Sequence, residues 1–187
     1  MSSKRFPFRC LFSVAVVQRS NAGFSLVELM VVLTIVAIAF NIAMPSFTAM
    51  IARNQAATDV NDFLLTVNLA RSEALKIGGT TSIQALDASD TSNEFGAGWC
   101  VVEGDPGDCS GTLIRSFPAL VGNVSLNSIE NASSIQFNYL GELADGVVQK
   151  IDLCTSQTDR RIFIALIGRP KSHRPNDVDA AKQPACS

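Results

Sequence analysis

The chain has 187 residues, 47% of them hydrophobic, and 17 acidic side chains slightly outnumber 15 basic ones. That length holds a membrane anchor plus one compact domain, and the charge balance excludes a general basic nucleic-acid surface, leaving only local patches. With one histidine, no CxxC pair, no Walker loop and no nucleophile paired in sequence with a base, the residues point to no enzyme, no cofactor and no metal site.

Residues 1–23 read as a cytoplasmic leader carrying Lys4, Arg5, Arg9 and Arg19, in keeping with the positive-inside bias. Its apolar stretch Leu11–Val17 is too short to cross a bilayer. From Leu29 to Ala52 there is no charged side chain, a run long enough for the roughly 20 apolar residues a spanning helix needs. Glu28 stands at its near edge, where a charge is costly and calls for a partner. Cleavage after Gly23 would remove the leader and place a new Phe24 amine close to Glu28, offsetting part of that cost. An ordinary secretory signal, with Ala37-Ile38-Ala39 as its cleavage site, fits less well because the apolar run continues beyond it.

Gly23-Phe24-Ser25-Leu26-Val27-Glu28 followed by this apolar run resembles the class III signal of type IV pilins and type II secretion pseudopilins. The resemblance implies a prepilin peptidase that cuts between Gly23 and Phe24 and methylates the Phe24 amine. It also implies that Glu28 pairs with the N-terminus of a neighbouring subunit inside a filament.

Residues 24 to about 77 read as one long helix, interrupted or kinked near Pro45, where an amide donor is missing. Beyond Pro45, Ala56, Val60, Phe63, Val67, Ala70 and Ala74 recur by four and three and share one face, with Arg53, Asp59, Asp62, Arg71, Glu73 and Lys76 largely elsewhere. Gly78-Gly79 marks the stop. Leu69-Ala70-Arg71-Ser72-Glu73-Ala74 resembles a segment of the GspH/FimT/FimU branch of minor pilins and pseudopilins; physically it reads as an amphipathic turn with Arg71 and Glu73 exposed.

From Thr80 the pattern is short strands between turn residues, with candidates at 81–86, 98–103, 113–117, 124–129, 134–139, 147–154 and 161–167. Ile135, Phe137 and Tyr139 alternate with polar residues and so predict one buried face. Gly98-Trp99 and the Ile135, Phe137, Gly141 pattern also resemble the GspH/FimT domain. Residues 87–98 and 103–111 read as exposed loops; Gly104-Asp105-Pro106-Gly107-Asp108 suits a turn better than a calcium site, which wants more clustered oxygens. Cys10 leaves with the leader. Cys100, Cys109, Cys154 and Cys186 form an even set outside the cytoplasm, where disulfides persist. Of three possible connectivities, the expectation is Cys100–Cys109 around a small loop and Cys154–Cys186 tying down the tail.

The tail Gly168-Arg169-Pro170-Lys171-Ser172-His173-Arg174 is the one concentrated positive stretch, with Arg160 and Arg161 at the start of the preceding strand. Read as a flexible segment with a solvated His173, its cations could track phosphates in a salt-sensitive way. It resembles the C-terminal Gly-Arg-x-Arg motif of DNA-binding FimT-type pilins, with Lys171 in place of the second arginine. Lysine keeps the charge but loses the bidentate fork. The resemblance thus implies double-stranded DNA as a possible partner through Arg169, Lys171 and Arg174.

Together these readings predict an α+β chain: a leader (1–23), a transmembrane and assembly helix (24–51), and a periplasmic GspH/FimT-like domain (52–187) of antiparallel sheet packed on the second half of the helix. The family implies a single-pass inner-membrane precursor that joins a type IV pilus tip or a type II secretion pseudopilus. Its partners would be the major pilin, other minor pilins or pseudopilins and the prepilin peptidase.

Overall fold

The computed structural model describes residues 23–89, 93–156, 158–174 and Cys186; the expected leader, apart from Gly23, lies outside these residues, as does Cys10. One helix, α1 (Leu26–Ile77), is followed by eight strands. The chain divides into two compact units, Met1–Ala43 and Met44–Ser187.

Within the first unit the described residues are almost wholly helical, and every one of them is exposed. The Leu29 amide donates to the Ser25 carbonyl (3.1 Å) and starts the ladder. Its polar side chains are absorbed locally: Thr34 Oγ1 donates to the Met30 carbonyl and Asn41 Nδ2 to that of Ala37, each at 2.8 Å. A helix apolar on all sides with internally satisfied backbone suits hydrocarbon or a bundle of like helices.

The expected interruption at Pro45 does not occur: α1 runs through it unbroken. Only one amide donor is lost there, and a 52-residue helix carries enough neighbouring bonds to continue. In the second unit Ala56, Val60, Phe63, Val67, Ala70 and Ala74 are fully buried, as their spacing predicts. Asp59, expected off that face, is also buried, accepting a hydrogen bond from Gln55 Nε2 (2.9 Å). Phe63 packs edge-on against Phe95 and Trp99, each at 5.3 Å between ring centroids. Trp99 Nε1 donates to Thr66 Oγ1 (3.0 Å), so the indole is both packed and satisfied. After Ile77 the Gly79 amide returns to the Ala74 carbonyl (3.3 Å). Thr81 Oγ1 then donates to the Ala70 carbonyl (2.7 Å), tying the first strand to the helix.

The strands are β1 (Thr81–Ala85), β2 (Trp99–Glu103), β3 (Leu113–Phe117), β4 (Val124–Ser128), β5 (Ser134–Phe137), β6 (Gln149–Thr155), β7 (Asp159–Ile164) and β8 (Pro170–His173). They form two antiparallel sheets, β3-β2-β1-β5 and β4-β6-β7-β8. Seven strands correspond to the expected ones; β8 does not, because a short polar segment holding proline carries no alternation to read. Tyr139, predicted on the buried face of β5, is exposed, since the strand ends at Phe137 and the chain turns.

The sheet edges are managed in different ways. β4 is covered by the loop before β2: the Leu126 amide donates to Asn93 Oδ1 (2.7 Å) and the Ser128 amide to Glu94 Oε2 (2.8 Å). β5 is covered by its own return, the Ala144 amide donating to the Gln136 carbonyl (3.0 Å). β3 is bulged against Val101/Val102, and β8 carries Pro170 and Lys171.

Candidate functional site

At the N-terminal end, Gly23, Phe24 and Ser25 precede the helix and Glu28 lies in its first turn. Phe24 is 79% exposed, and Glu28 is exposed with no ion pair among the described residues. A carboxylate there interacts favourably with the helix N-terminus, yet one dipole does not meet the cost of carrying a charge into an apolar medium. The arrangement has room for a second positive group at Glu28.

The C-terminal cations are positioned differently from the flexible tail read in the sequence. β8 pairs with β7 in the register Phe163 with Lys171 and Arg161 with His173. β6 continues that register, Lys150 opposite Phe163 and Asp152 opposite Arg161. Residues directly opposite share a face, so Lys150, Phe163 and Lys171 form one row and Asp152, Arg161 and His173 the next. Ile162 and Ile164 point the other way, into the core. Arg169 follows at the same parity as Lys171, and both are exposed. Lys150 is the member of this row that sequence reasoning missed; its strand was visible, but cross-strand register was not.

Two expected contributors to the positive patch drop out. Arg161 is buried and forked onto Asp152, Nε to Oδ1 and Nη2 to Oδ2 both at 2.7 Å, so its charge is neutralised in place. Arg160 lies on the opposite face of β7. His173 is half-buried within a strand rather than solvated in a tail, and His173 and Arg174 each engage a neighbour.

Arg71, expected to be exposed, is half-buried and donates from Nε to the Gly141 carbonyl (2.9 Å). The turns through Gly141 (φ 71°) and Gly168 (φ 74°) meet here. A Cβ on Gly168 would collide with the Gly141 carbonyl oxygen and lie 3.0 Å from Arg71 Cδ. The glycine of the basic segment is therefore needed for close approach, and Arg71 ties the Gly141 turn, against which the Gly168 turn packs, to the helix. Local sequence pattern gave no sign of this, because the three residues are up to 97 positions apart.

Cys100 is bonded to Cys109 and Cys154 to Cys186, with Cα separations of 6.0 and 5.6 Å. Asp105, in the loop considered for calcium, accepts side-chain hydrogen bonds from Gln84, Ser134 and Gln136. Asp108 turns to the Ser110 amide (2.8 Å). These carboxylates work as loop anchors. Among the described residues the one grouping with metal-ligand spacing is Cys154, Asp159 and Cys186, and its two sulfurs are spent on a disulfide.

A family model described as "Type II transport protein GspH" matches residues 59–168. The chain belongs to the GspH family. A second model, the prokaryotic N-terminal methylation motif, matches residues 18–40, which bracket Gly23, Phe24 and Glu28. The GspH-family domain is similar in fold to the type IV minor pilin FimU of Pseudomonas aeruginosa strain PAO1 in two crystal forms. In space group P21 the TM-score is 0.59 at 20% identity, over 72% of this chain and 96% of the FimU chain. In P65 it is 0.55 at 19% identity, over 71% and 97%. No curated protein sequence matches the chain. This is a member of the minor pilin and pseudopilin family, with a prepilin signal and an apolar helix that fit a membrane-anchored pilin with an extramembrane domain.

Proposed function

We propose that the protein is a minor pilin or pseudopilin subunit that enters a type IV pilus tip or a type II secretion pseudopilus through its N-terminal helix. The observation that carries this is the junction Gly23-Phe24…Glu28 at the head of a helix exposed and apolar on all sides for its first half. In this reading residues 1–23 are a leader removed by a prepilin peptidase, which methylates Phe24. Residues 24–51 are the single-pass anchor in the inner membrane, and 52–187 stand in the periplasm with both disulfides formed. On assembly the helix leaves the bilayer for a bundle of neighbouring helices, where Glu28 meets a neighbour's Phe24 amine. Pro45 softens the helix at the border of the anchor. The work is assembly rather than catalysis, and no cofactor takes part.

Glu28→Ala separates processing from assembly. The variant is expected to be cleaved normally but to be largely missing from sheared filaments or pseudopili, measured by immunoblot. Normal incorporation would refute the role of Glu28. Neighbouring genes distinguish pilus from secretion system.

A second reading is favoured by Arg169 and Lys171, exposed on one face of the β4-β6-β7-β8 sheet, with Arg174 exposed just past β8: capture of double-stranded DNA for uptake, through Arg169, Lys171 and Arg174. Lys150 and Lys171 flank Phe163 in one row, with Arg169 alongside. Charges so placed would follow phosphates with little sequence preference. Residues 52–187 would then bind duplex DNA at low salt and release it as salt rises, and the triple alanine variant at 169, 171 and 174 would lose most of that binding. Equal binding by the variant in a salt-series titration would discard this reading.

A further inference from the structure

Strand β1 is buried on both of its faces. Thr81, Ile83 and Ala85 face the core shared with α1. Ser82 and Gln84 alternate to the other side, yet they are only 0% and 1% exposed. Val102 and Gln136 flank Ser82 in one row, and Cys100 and Ser134 flank Gln84 in the next, so these six side chains share the outer face of the β3-β2-β1-β5 sheet. The β2–β3 connection, residues 104–111, folds back over that face. Asp105 Oδ1 accepts from Gln84 Nε2 (2.5 Å) and Ser134 Oγ (3.0 Å), its Oδ2 accepts from Gln136 Nε2, and Cys109 is bonded to Cys100.

Amide and hydroxyl donors from two strands thus converge on one carboxylate, and that carboxylate comes from a stretch, 105–108, which is itself exposed. Donors fixed by a sheet in this way form a cradle for a carboxylate, and Asp105 fills it from within the chain. The base of the connection is held by the Glu103 amide on the Thr112 carbonyl (3.0 Å) and the Gly104 amide on that of Thr80 (2.7 Å). Gly104 (φ 74°) and Gly107 (φ 82°) have open space where a Cβ would stand, so the backbone turns there without steric opposition. The disulfide, between residues nine positions apart, pins the far end of the connection to the sheet. While it holds, Asp105 stays beside the donors at a high effective concentration that a carboxylate of another molecule cannot match.

We propose that residues 104–111 are a strap, latched by Cys100–Cys109, over a cradle that takes the carboxylate of an acidic peptide once the latch is reduced. The reductant is a dithiol. One of its thiolates attacks Cys109 Sγ, the less buried of the pair, and forms a mixed disulfide; Cys100 leaves as a thiolate and takes up a proton. The second thiol of the reductant then closes the reductant's own disulfide and frees Cys109, so that two electrons and two protons have passed to the protein. The strap swings about Gly104 and Gly107, Asp105 leaves, and Gln84, Ser134 and Gln136 face the solvent. The device does not involve α1 or Glu28, so its failure leaves the subunit reading untouched.

The full chain in detergent is titrated with a fluorescent tri-aspartate peptide, beside a Cys109→Ser variant that cannot close the latch and keeps Cys154–Cys186. The variant is expected to bind the probe about tenfold more tightly than the oxidised chain, and dithiothreitol should bring the unaltered chain to the same level. Adding Gln136→Ala, which removes one donor from the cradle, should abolish the gain. Hydrogen exchange should show the amides of 104–111 losing protection in Cys109→Ser while those of β1 keep theirs. Equal binding by the oxidised chain and the variant would overturn the proposal, as would binding indifferent to Gln136→Ala or a chain that dithiothreitol leaves closed. Loss of protection in β1 together with the strap would show that the disulfide staples the sheet itself, and would overturn it too.

Discussion

Burial strips Asp59 of water and leaves its Oδ2 with no hydrogen-bond partner among the described residues. Desolvation pushes its carboxyl above the ordinary range, the Gln55 hydrogen bond pulls it back, and nearby Asp62 raises it further. The native state therefore holds this proton more tightly than the unfolded chain does. Stability is at its fullest below the unfolded pKa and declines as pH rises through the raised native one. Asn in place of Asp keeps the acceptor for Gln55 and removes the charge. Asp59→Asn is expected to stabilise residues 44–187 by about 1 kcal/mol at neutral pH and to leave stability unchanged at strongly acid pH. Urea unfolding across pH 3–7 measures this; a variant less stable at pH 7 would show that Asp59 works as a charge. Periodicity put Asp59 off the core face because it is charged, but a helix buried over a wide arc also covers the positions beside its apolar stripe.

At the scale of elements, one arginine of α1 joins the turns at Gly141 and Gly168. Gly168→Ala adds a Cβ at a positive φ that collides with the Gly141 backbone oxygen, so the backbone itself would have to shift. A loss of about 2 kcal/mol or more is expected. Gly104 has the same φ of 74° but open space where a Cβ would stand, so Gly104→Ala should cost only the backbone strain, about 1 kcal/mol. Thermal or urea unfolding of the two variants compares them directly; equal losses would mean that the close approach to Gly141 contributes nothing. β8 itself was illegible because its four residues, Pro170 to His173, carry no apolar alternation. β1 to β7 were legible because each puts apolar side chains into a core shared with the helix.

For the molecule as a whole, the exposed apolar length of α1 and the packed domain obey opposite rules. The described part of the first unit buries nothing within this chain, so its stable surroundings must be lipid or other helices. The second unit encloses Phe63, Phe95, Trp99 and Phe137 in a core of its own and adds two disulfides. Truncating Phe63, the ring that touches both Phe95 and Trp99, would cost about 3–5 kcal/mol, a large fraction of a domain's stability. The second unit thus holds its fold through a core and disulfides of its own.

The sequence by itself determined the apolar run, the helix and its buried face, seven of the eight strands and the family, because each is written in local chemistry. Twenty-odd apolar residues, a repeat of four and three, and a Gly-Phe…Glu junction are readable without knowing what lies across from them. Only the tertiary structure decided which cations are available, since Arg161 is cancelled by Asp152 nine positions away while Lys150 joins Lys171 across Phe163. It alone turned Arg71 from a surface residue into the tie between the helix and the Gly141 turn, against which the Gly168 turn packs. These outcomes depend on strand register and on contacts between residues tens of positions apart, and neither is encoded in spacing along the chain.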